Sequence, residues 1–386
     1  WAVASGSCLP VSNLVCEVVL VLVRDGGLLI CPRFAEEDEM NFDLLKRLCE
    51  TPGIPGYEDR LRAIVREELQ PLVDELRTDV MGNVVGIKRG RAPRVMVAAH
   101  MDEIGFMVRH VDKNGFLRLQ PLGGFDARML VAQRVLVHTR SAQALRGALM
   151  ASTKPTHVLT EEERTRAPKL EQLFVDLGLP GEEVQELVEV GDMVTMDRTT
   201  EQLGEHIISK SLDDRLSVYV MLEALRAVRR HEAEIMAVAT TQEEVGLRGA
   251  TTAAFALEPQ IGIALDITLA LDIPGIEEHE AITCLGKGAA IKLMDSSVIS
   301  HPKLVRHFRE IAEREKIPYQ LEILPRGGTD AGAIQRARAG VITMTISVPV
   351  RYVHTVNEMA AISDIEAAVT LLARYLEEAH TGDYSF

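Results

Sequence analysis

From residue 41 onward the apolar positions recur with periods that name the elements in turn. Residues 41–50 space their apolar side chains along one face of a helix, a Pro-Gly break occupies 51–56, and a longer helical period runs over 57–75. The run Val95-Met-Val-Ala-Ala99 is continuously apolar, the pattern of a strand buried on both faces, and it ends abruptly in His100-Met-Asp102. Past Phe106 the texture changes to short strand-like runs with turn signals, Asn114-Gly115 and Gly123-Gly124 among them, until about residue 205. Within that insertion 159–188 is charged and helix-prone, including the stretch around Leu173-Phe-Val-Asp-Leu-Gly. From His206 the α/β alternation resumes: a helix over 216–229, strands at 235–240 and 261–267, a helix over 302–315, a strand at 341–347 and a helix over 362–379. The alternation predicts a mostly parallel or mixed sheet covered by helices, built from 40–109 and 206–386 and interrupted by a smaller β-rich domain at 110–205.

Composition narrows the function classes without changing that picture. A chain of 386 residues with 47% hydrophobic content has room for one large domain and a smaller one. The balance of 42 basic against 57 acidic residues, with no block of Lys or Arg, excludes a nucleic-acid partner. Five cysteines, Cys8, Cys16, Cys31, Cys49 and Cys284, make an odd set with no CxxC pair, which points to a reducing compartment and a cytoplasmic protein. The longest strongly apolar stretch, 18–23 between Glu17 and Arg24, falls far short of the ~20 residues that span a bilayer, so no membrane partner is expected. Residues 1–39 lack Lys or Arg in their first 23 positions, unlike a secretory leader; Met40 reads as a natural start and 1–39 as a non-essential extension.

Candidate chemistry sits where the buried strands end. His100-Met-Asp102, Asp213-Asp214-Arg215, Glu243-Glu244, Asp266 and His354 each follow an apolar run or lie in a loop beside one, the place where open α/β sheets put their sites. Singly, each has a bland reading: a hydrogen-bonded structural histidine, a helix start, an exposed acidic pair. Together they are harder to dismiss, because acidic residues are seldom buried without partners and the sequence offers no matching set of cations beside them. Asp102, Asp213, Glu243, Glu244 and Asp266 carry five negative charges, which two divalent ions would nearly balance. Mixed imidazole and carboxylate donors without a thiolate suit zinc, cobalt or manganese better than calcium.

The ordered set Ala-Ala-His100-Met-Asp102-Glu-Ile-Gly-Phe, Leu-Asp213-Asp214-Arg215, Thr-Gln-Glu243-Glu244-Val-Gly-Leu-Arg-Gly-Ala, Ala-Leu-Asp266, Arg326-Gly-Gly-Thr329-Asp330-Ala-Gly and Arg351-Tyr-Val-His354-Thr resembles the tetrahedral aminopeptidase family, also called glutamyl aminopeptidases, some of whose members carry cellulase M or endoglucanase labels. The likeness runs from about Met40 to Glu378 and includes Pro155-Thr-His157-Val-Leu and Leu173-Phe-Val-Asp176-Leu-Gly in the insertion. It implies a three-layer, zinc-exopeptidase-like catalytic domain with an inserted β-barrel-like domain that builds dimers, which assemble into a tetrahedral dodecamer. It also implies a centre of two divalent metals, zinc or cobalt foremost and manganese third. Asp213 would bridge both, His100 and Asp266 would complete one site, and Glu244 and His354 the other. Asp102 would accept the free N–H of the His100 ring, and Glu243 would be the general base in cleaving N-terminal residues from short peptides. A cis peptide at Asp213–Asp214 is a further implication. Glu243 and Glu244 can serve together only if the strand has ended and the backbone turns, because successive side chains in a strand point to opposite faces.

Other residues take quieter roles. Arg215 is expected to pair with an acid and Thr329-Asp330 to support the site, while His110, His138, His157 and His279 read as structural or exposed. Val356-Asn357 stand where the family often has Pro-Val. Three rival functions remain: a metal-dependent carboxypeptidase or amide deacylase using the same metals, a glycosidase, against which the histidines tell, and an inactive scaffold, against which the complete ligand set tells.

Overall fold

Four parallel strands form the middle of an 11-stranded mixed sheet. They are Ile342–Arg351, Ile261–Leu269, Arg91–His100 and Ala233–Thr240, in that spatial order. Glu358–Ala361, His206–Ser209 and Glu201–Leu203 extend the sheet antiparallel beyond the first, and Val84–Lys88 and Glu75–Thr78 beyond the last. Ala289–Met294 and Tyr319–Ile323 pair off the edge of Ile342–Arg351. The central strands are nearly continuous apolar runs because both of their faces are covered.

Alternation along each strand decides which layer a side chain meets. Met96 and Ala98, with Met236 and Val238, pack on Arg248–Leu257 and Asp330–Gln335. The opposite face meets Leu212–Ala227 and Ile362–Glu378. Arg248–Leu257 lies close to the sheet because its contact residues are small: a Cβ on Gly249 would stand 2.3 Å from Asn83 Oδ1 and 2.6 Å from the Thr241 backbone nitrogen. The helix Pro302–Glu315 starts on proline, whose missing N–H costs nothing at that position, and buries Leu304, Val305, Phe308, Ile311 and Ala312 at helical spacing. The predicted 57–75 helix is shorter than expected: Asp59–Leu69 gives way to a 3₁₀ turn at Pro71 and then to the edge strand Glu75–Thr78.

The insertion is a closed six-stranded antiparallel barrel in the order Leu173–Asp176, Leu117–Leu122, Gly105–Val111, Met193–Met196, Gln133–His138 and Ala144–Ala151. Phe106, Val108, Leu117, Val135, Val137, Leu149, Val175 and Val194 fill it. Its strands span 105–196, starting earlier and ending sooner than 110–205, since Glu201–Leu203 and His206–Ser209 belong to the large sheet. Leu173–Asp176, read from sequence within a helix-prone stretch, closes the barrel through pairing with Ala148–Ala151.

This computed structural model describes residues 15–22, 28–35, 40–141, 143–154 and 156–385. Trp1–Phe42 is a separate unit from Asp43–Phe386. In the smaller unit Val15–Leu22 and Leu28–Ala35 pair antiparallel, Val15 opposite Ala35. The expectation that 1–39 is dispensable concerns a stretch that lies in part outside the described residues. Among the described residues no helix is long and apolar enough to cross a membrane.

Candidate metal centre

Each sequence-predicted site residue arrives at the C-terminal edge of the sheet by a different local device. His100 is the last residue of its strand, and Asp266 lies near the end of the neighbouring one, level with Ser347. Glu243 and Glu244 follow Thr240, where the strand has ended; Gln242 at φ 57 opens the turn, and the Gly246 and Leu247 N–H groups close it on the Glu243 carbonyl at 2.9 Å. That turn lets two consecutive glutamates face one site. Asp213 stands before the regular part of Leu212–Ala227, where Asp213 and Asp214 are both non-helical and the peptide between them is cis. His354 lies three residues past its strand at φ 61, a left-handed conformation costing an L-residue about 1–2 kcal/mol.

The seven residues converge. One oxygen of Asp213 is 3.1 Å from Nε2 of His100 and the other is 3.2 Å from Nε2 of His354. Glu244 Oε1 lies 3.4 Å from the same His354 nitrogen, and Glu243 Oε2 lies 3.8 Å from His100 Nε2. His100, Asp213 and Asp266 bring ligand atoms within 4.8 Å of one another, as do Asp213, Glu244 and His354. Two potential metal-holding groups thus share Asp213, and a third joins His100 to Glu243 and Glu244. Glu244 Oε1 is buried and makes no hydrogen bond, its polar neighbour being the His354 ring nitrogen at 3.4 Å.

Asp102 works differently from the expectation. The ring Nδ1 of His100 meets the Asp102 backbone carbonyl at 3.0 Å, while the nearer carboxylate oxygen is 3.7 Å away. With Nδ1–H directed at the carbonyl, Nε2 is left to face Asp213. The Asp102 carboxylate, wholly buried, instead accepts the backbone N–H groups of Glu243 at 3.0 Å and Glu244 at 3.1 Å. It therefore ties down the turn that carries both glutamates.

Two further buried carboxylates, neither given a ligand-holding role from the sequence, hold the ligands in the same way. Asp214 Oδ2 accepts the His100 N–H at 3.2 Å. Glu358 accepts the Asp213 N–H at 3.1 Å through one oxygen and the His354 N–H at 2.8 Å through the other. The available sequence signal for Glu358 was a lone acid opening the apolar stretch Glu358-Met-Ala-Ala-Ile362.

The field is strongly anionic. Burial, reinforced by Asp266 and other neighbouring carboxylates, pushes the Glu243 carboxyl well above the usual range; burial with Asp213 does the same to Asp266. Burial would raise Asp213 too, but the two flanking histidines outweigh it and hold this carboxyl low. Burial disfavours charge on His354, yet Asp213 and Glu244 overcome it and push the imidazole up to about 12. Such mutual crowding of carboxylates and imidazoles, with oxygen and nitrogen donors only, fits divalent cations.

The sequence reading that no cations stand beside these carboxylates needs correcting. Lys292, a lone charge in the apolar run Ala289–Met294, is wholly buried, pairs with Glu322 at 3.0 Å, and its charge offsets part of the rise that burial and Asp213 impose on the Asp266 carboxyl. Lys210 pairs with Glu103 at 2.5 Å. Arg215 chiefly donates to backbone carbonyls, those of Leu48, Thr51 and Gly53, with Glu103 at 3.6 Å. Asp330 accepts the Thr240 hydroxyl at 2.6 Å and Thr329 meets Thr345 at 3.0 Å, both supporting the sheet end. His138 bonds Thr195 at 2.9 Å on the face of the barrel strands opposite the core residues Val137 and Val194. Val356, at the position where the sequence departs from Pro-Val, packs into the barrel core.

A cavity of about 560 Å³ opens over the cluster. Apolar Leu247, Leu269, Leu324 and Val353 line it with the metal-type residues and with Lys292 and Arg326, the size and mixture expected of a small-molecule or peptide-end site. The segment after the barrel strand Leu117–Leu122 comes close to the cluster: a Cβ on Gly123, at φ 90, would stand 3.2 Å from Glu244 Oε2, and one on Gly124 would stand 3.3 Å from His354 Nδ1.

Comparison with known proteins gives a consistent answer. The sequence matches the M42 glutamyl aminopeptidase family over residues 82–371. It is 38% identical over 353 residues to the lysyl aminopeptidase of Pyrococcus furiosus, covering 90% of this chain and 99% of that relative. The solved aminopeptidase APDkam598 from the archaeon Desulfurococcus kamchatkensis aligns with a TM-score of 0.83 at 41% identity, over 87% of this chain and 94% of that one. The TET1 peptidase of Pyrococcus horikoshii, which can assemble into a tetrahedron or a large octahedral shell, aligns with a TM-score of 0.77 at 31% identity, over 87% of this chain and 99% of that one.

Proposed function

The chain belongs to the M42 glutamyl aminopeptidase family and is a metal-dependent aminopeptidase, and from that premise we propose that its activity runs on a dinuclear centre bridged by Asp213. His100 and Asp266 complete one site; Glu244 and His354 complete the other. The observation that carries this reading is the placement of the two Asp213 oxygens, one 3.1 Å from His100 Nε2 and the other 3.2 Å from His354 Nε2. Zinc and cobalt suit the donor set best, with manganese third.

When bound, the two ions supply Lewis acidity that polarises the scissile carbonyl and brings the pKa of a water toward ~7. The remaining steps belong to the chain. Glu243, close to His100 yet outside the shared ligand pairings of Asp213, takes the proton of the attacking water on its carboxylate and returns it to the amine of the departing peptide. Asp102 keeps the Glu243 turn in register by accepting its N–H. The apolar walls from Leu247, Leu269, Leu324 and Val353 exclude bulk water around the first side chain of the substrate.

The barrel is proposed to build dimers that assemble further into a tetrahedral dodecamer, supported by the assembly of the Pyrococcus horikoshii relative. Light scattering tests this, and a stable monomer would contradict it. A reducing compartment such as the cytoplasm suits the free thiols of Cys49 and Cys284.

The functional reading is tested by stripping the protein of metal, refilling it with zinc, cobalt or manganese, and offering a panel of aminoacyl-p-nitroanilides beside their N-acetylated counterparts. Cleavage restored by at least one metal, and only for substrates with a free amine, is expected. Failure with every metal, or equal cleavage of the acetylated forms, would overturn it.

A further inference from the structure

Glu358 begins the strand Glu358–Ala361, is 1% exposed, and is not among the residues that line the cavity over the cluster. Both oxygens are used on backbone N–H groups of ligand residues from distant parts of the chain, Asp213 at 3.1 Å and His354 at 2.8 Å. We infer that Glu358 is a positioning residue that sets the half of the centre formed by Glu244 and His354, an inference that rests on the two-site reading above.

The asymmetry follows from where each ligand is anchored. His354 sits in the left-handed region, which its own backbone does not favour, and its N–H is directed at Glu358 Oε1, so the bond fixes the direction in which the imidazole leaves the chain. Asp213 is additionally held by its place at the head of Leu212–Ala227. On the other half, the His100 N–H is held by Asp214 and its ring by the Asp102 carbonyl, neither of which involves Glu358. Removing Glu358 therefore releases His354 first and leaves the His100–Asp266 half standing.

Side-chain chemistry makes the residue type specific. A carboxylate offers acceptors to both amides; glutamine offers one acceptor and turns an NH₂ group toward the other N–H; alanine leaves both buried donors unanswered.

The test uses the full-length protein, stripped of metal and titrated with Co(II), followed by calorimetry and visible absorption. Wild type takes two ions. Glu358→Gln is expected to keep one site at wild-type affinity and to weaken the other at least tenfold, and Glu358→Ala to weaken it further. Hydrogen exchange in the metal-free variants should quicken in the peptide containing His354 and stay unchanged in the one containing His100. Should the alanine variant not fold, the near-isosteric Glu358→Gln carries the test. Two sites of wild-type affinity in the variants, or equal weakening of both, would overturn the inference alone. A wild type that takes a single ion would refute the two-site reading itself, and the inference with it.

Discussion

Replacing Asp102 by Asn separates the two tasks that a carboxylate could have beside His100. In the structure its oxygens accept the Glu243 and Glu244 N–H groups at 3.0 and 3.1 Å, while the His100 ring is held by the backbone carbonyl, which the substitution keeps. Asparagine offers one acceptor oxygen in place of two, so one amide of the turn loses a charge-assisted bond of about 1.5–3 kcal/mol. The turn then relaxes, and a shift of order 1 Å in a proton-carrying group costs about 10²-fold in rate, or ~2.7 kcal/mol, the same scale as the lost bond. We therefore predict a fall in kcat/KM of about 10²-fold on an aminoacyl-p-nitroanilide, with the ion held by His100, Asp213 and Asp266 retained. Turnover and metal content per subunit are measured on the same preparation. Unchanged kcat/KM would refute the argument; so would a loss that tracks release of that ion, which would mean that the carboxylate holds the imidazole after all.

Other outcomes follow from the same geometry. Glu243→Gln should keep both ions by elemental analysis and lower kcat by about 10²–10⁴-fold, the usual contribution of a general base. Asp213→Ala should lose both ions, because the two groups proposed to hold them share this residue; retention of two would remove the bridge. His138 tests the barrel independently: burial depresses its pKa to about 4, so the unfolded chain binds the proton more readily. Stability is then full above about pH 6.5 and declines as pH falls toward 4. His138→Gln, which can still bond Thr195, should show less of that decline in urea midpoints than wild type.

The sheet was legible because its central strands are apolar runs that stop in charge. Val95–Ala99 ending in His100, and the runs ending near Glu243 and Asp266, put site residues and strand ends in one pattern. The barrel was less so. Leu173–Asp176 is four residues long beside helix-forming neighbours, and only its pairing with Ala148–Ala151 and with Leu117 and Arg118 makes it a strand. Glu358 escaped because its partners are backbone amides, one of them Asp213, 145 positions away, and a backbone N–H leaves no mark on sequence. Lys292 escaped because a lone lysine in an apolar run reads as an edge position, whereas Glu322 from the adjacent strand neutralises it in the interior. The role of Asp102 was misassigned for a related reason: side chain and carbonyl of one residue both lie near His100, and only coordinates separate them.

Anomalous diffraction from crystals of the zinc-loaded protein, recorded on both sides of the zinc absorption edge, tests the central claim most directly. Two peaks per subunit are expected, one among His100, Asp213 and Asp266 and one among Asp213, Glu244 and His354. A single peak, or two peaks that do not share Asp213, would contradict the account.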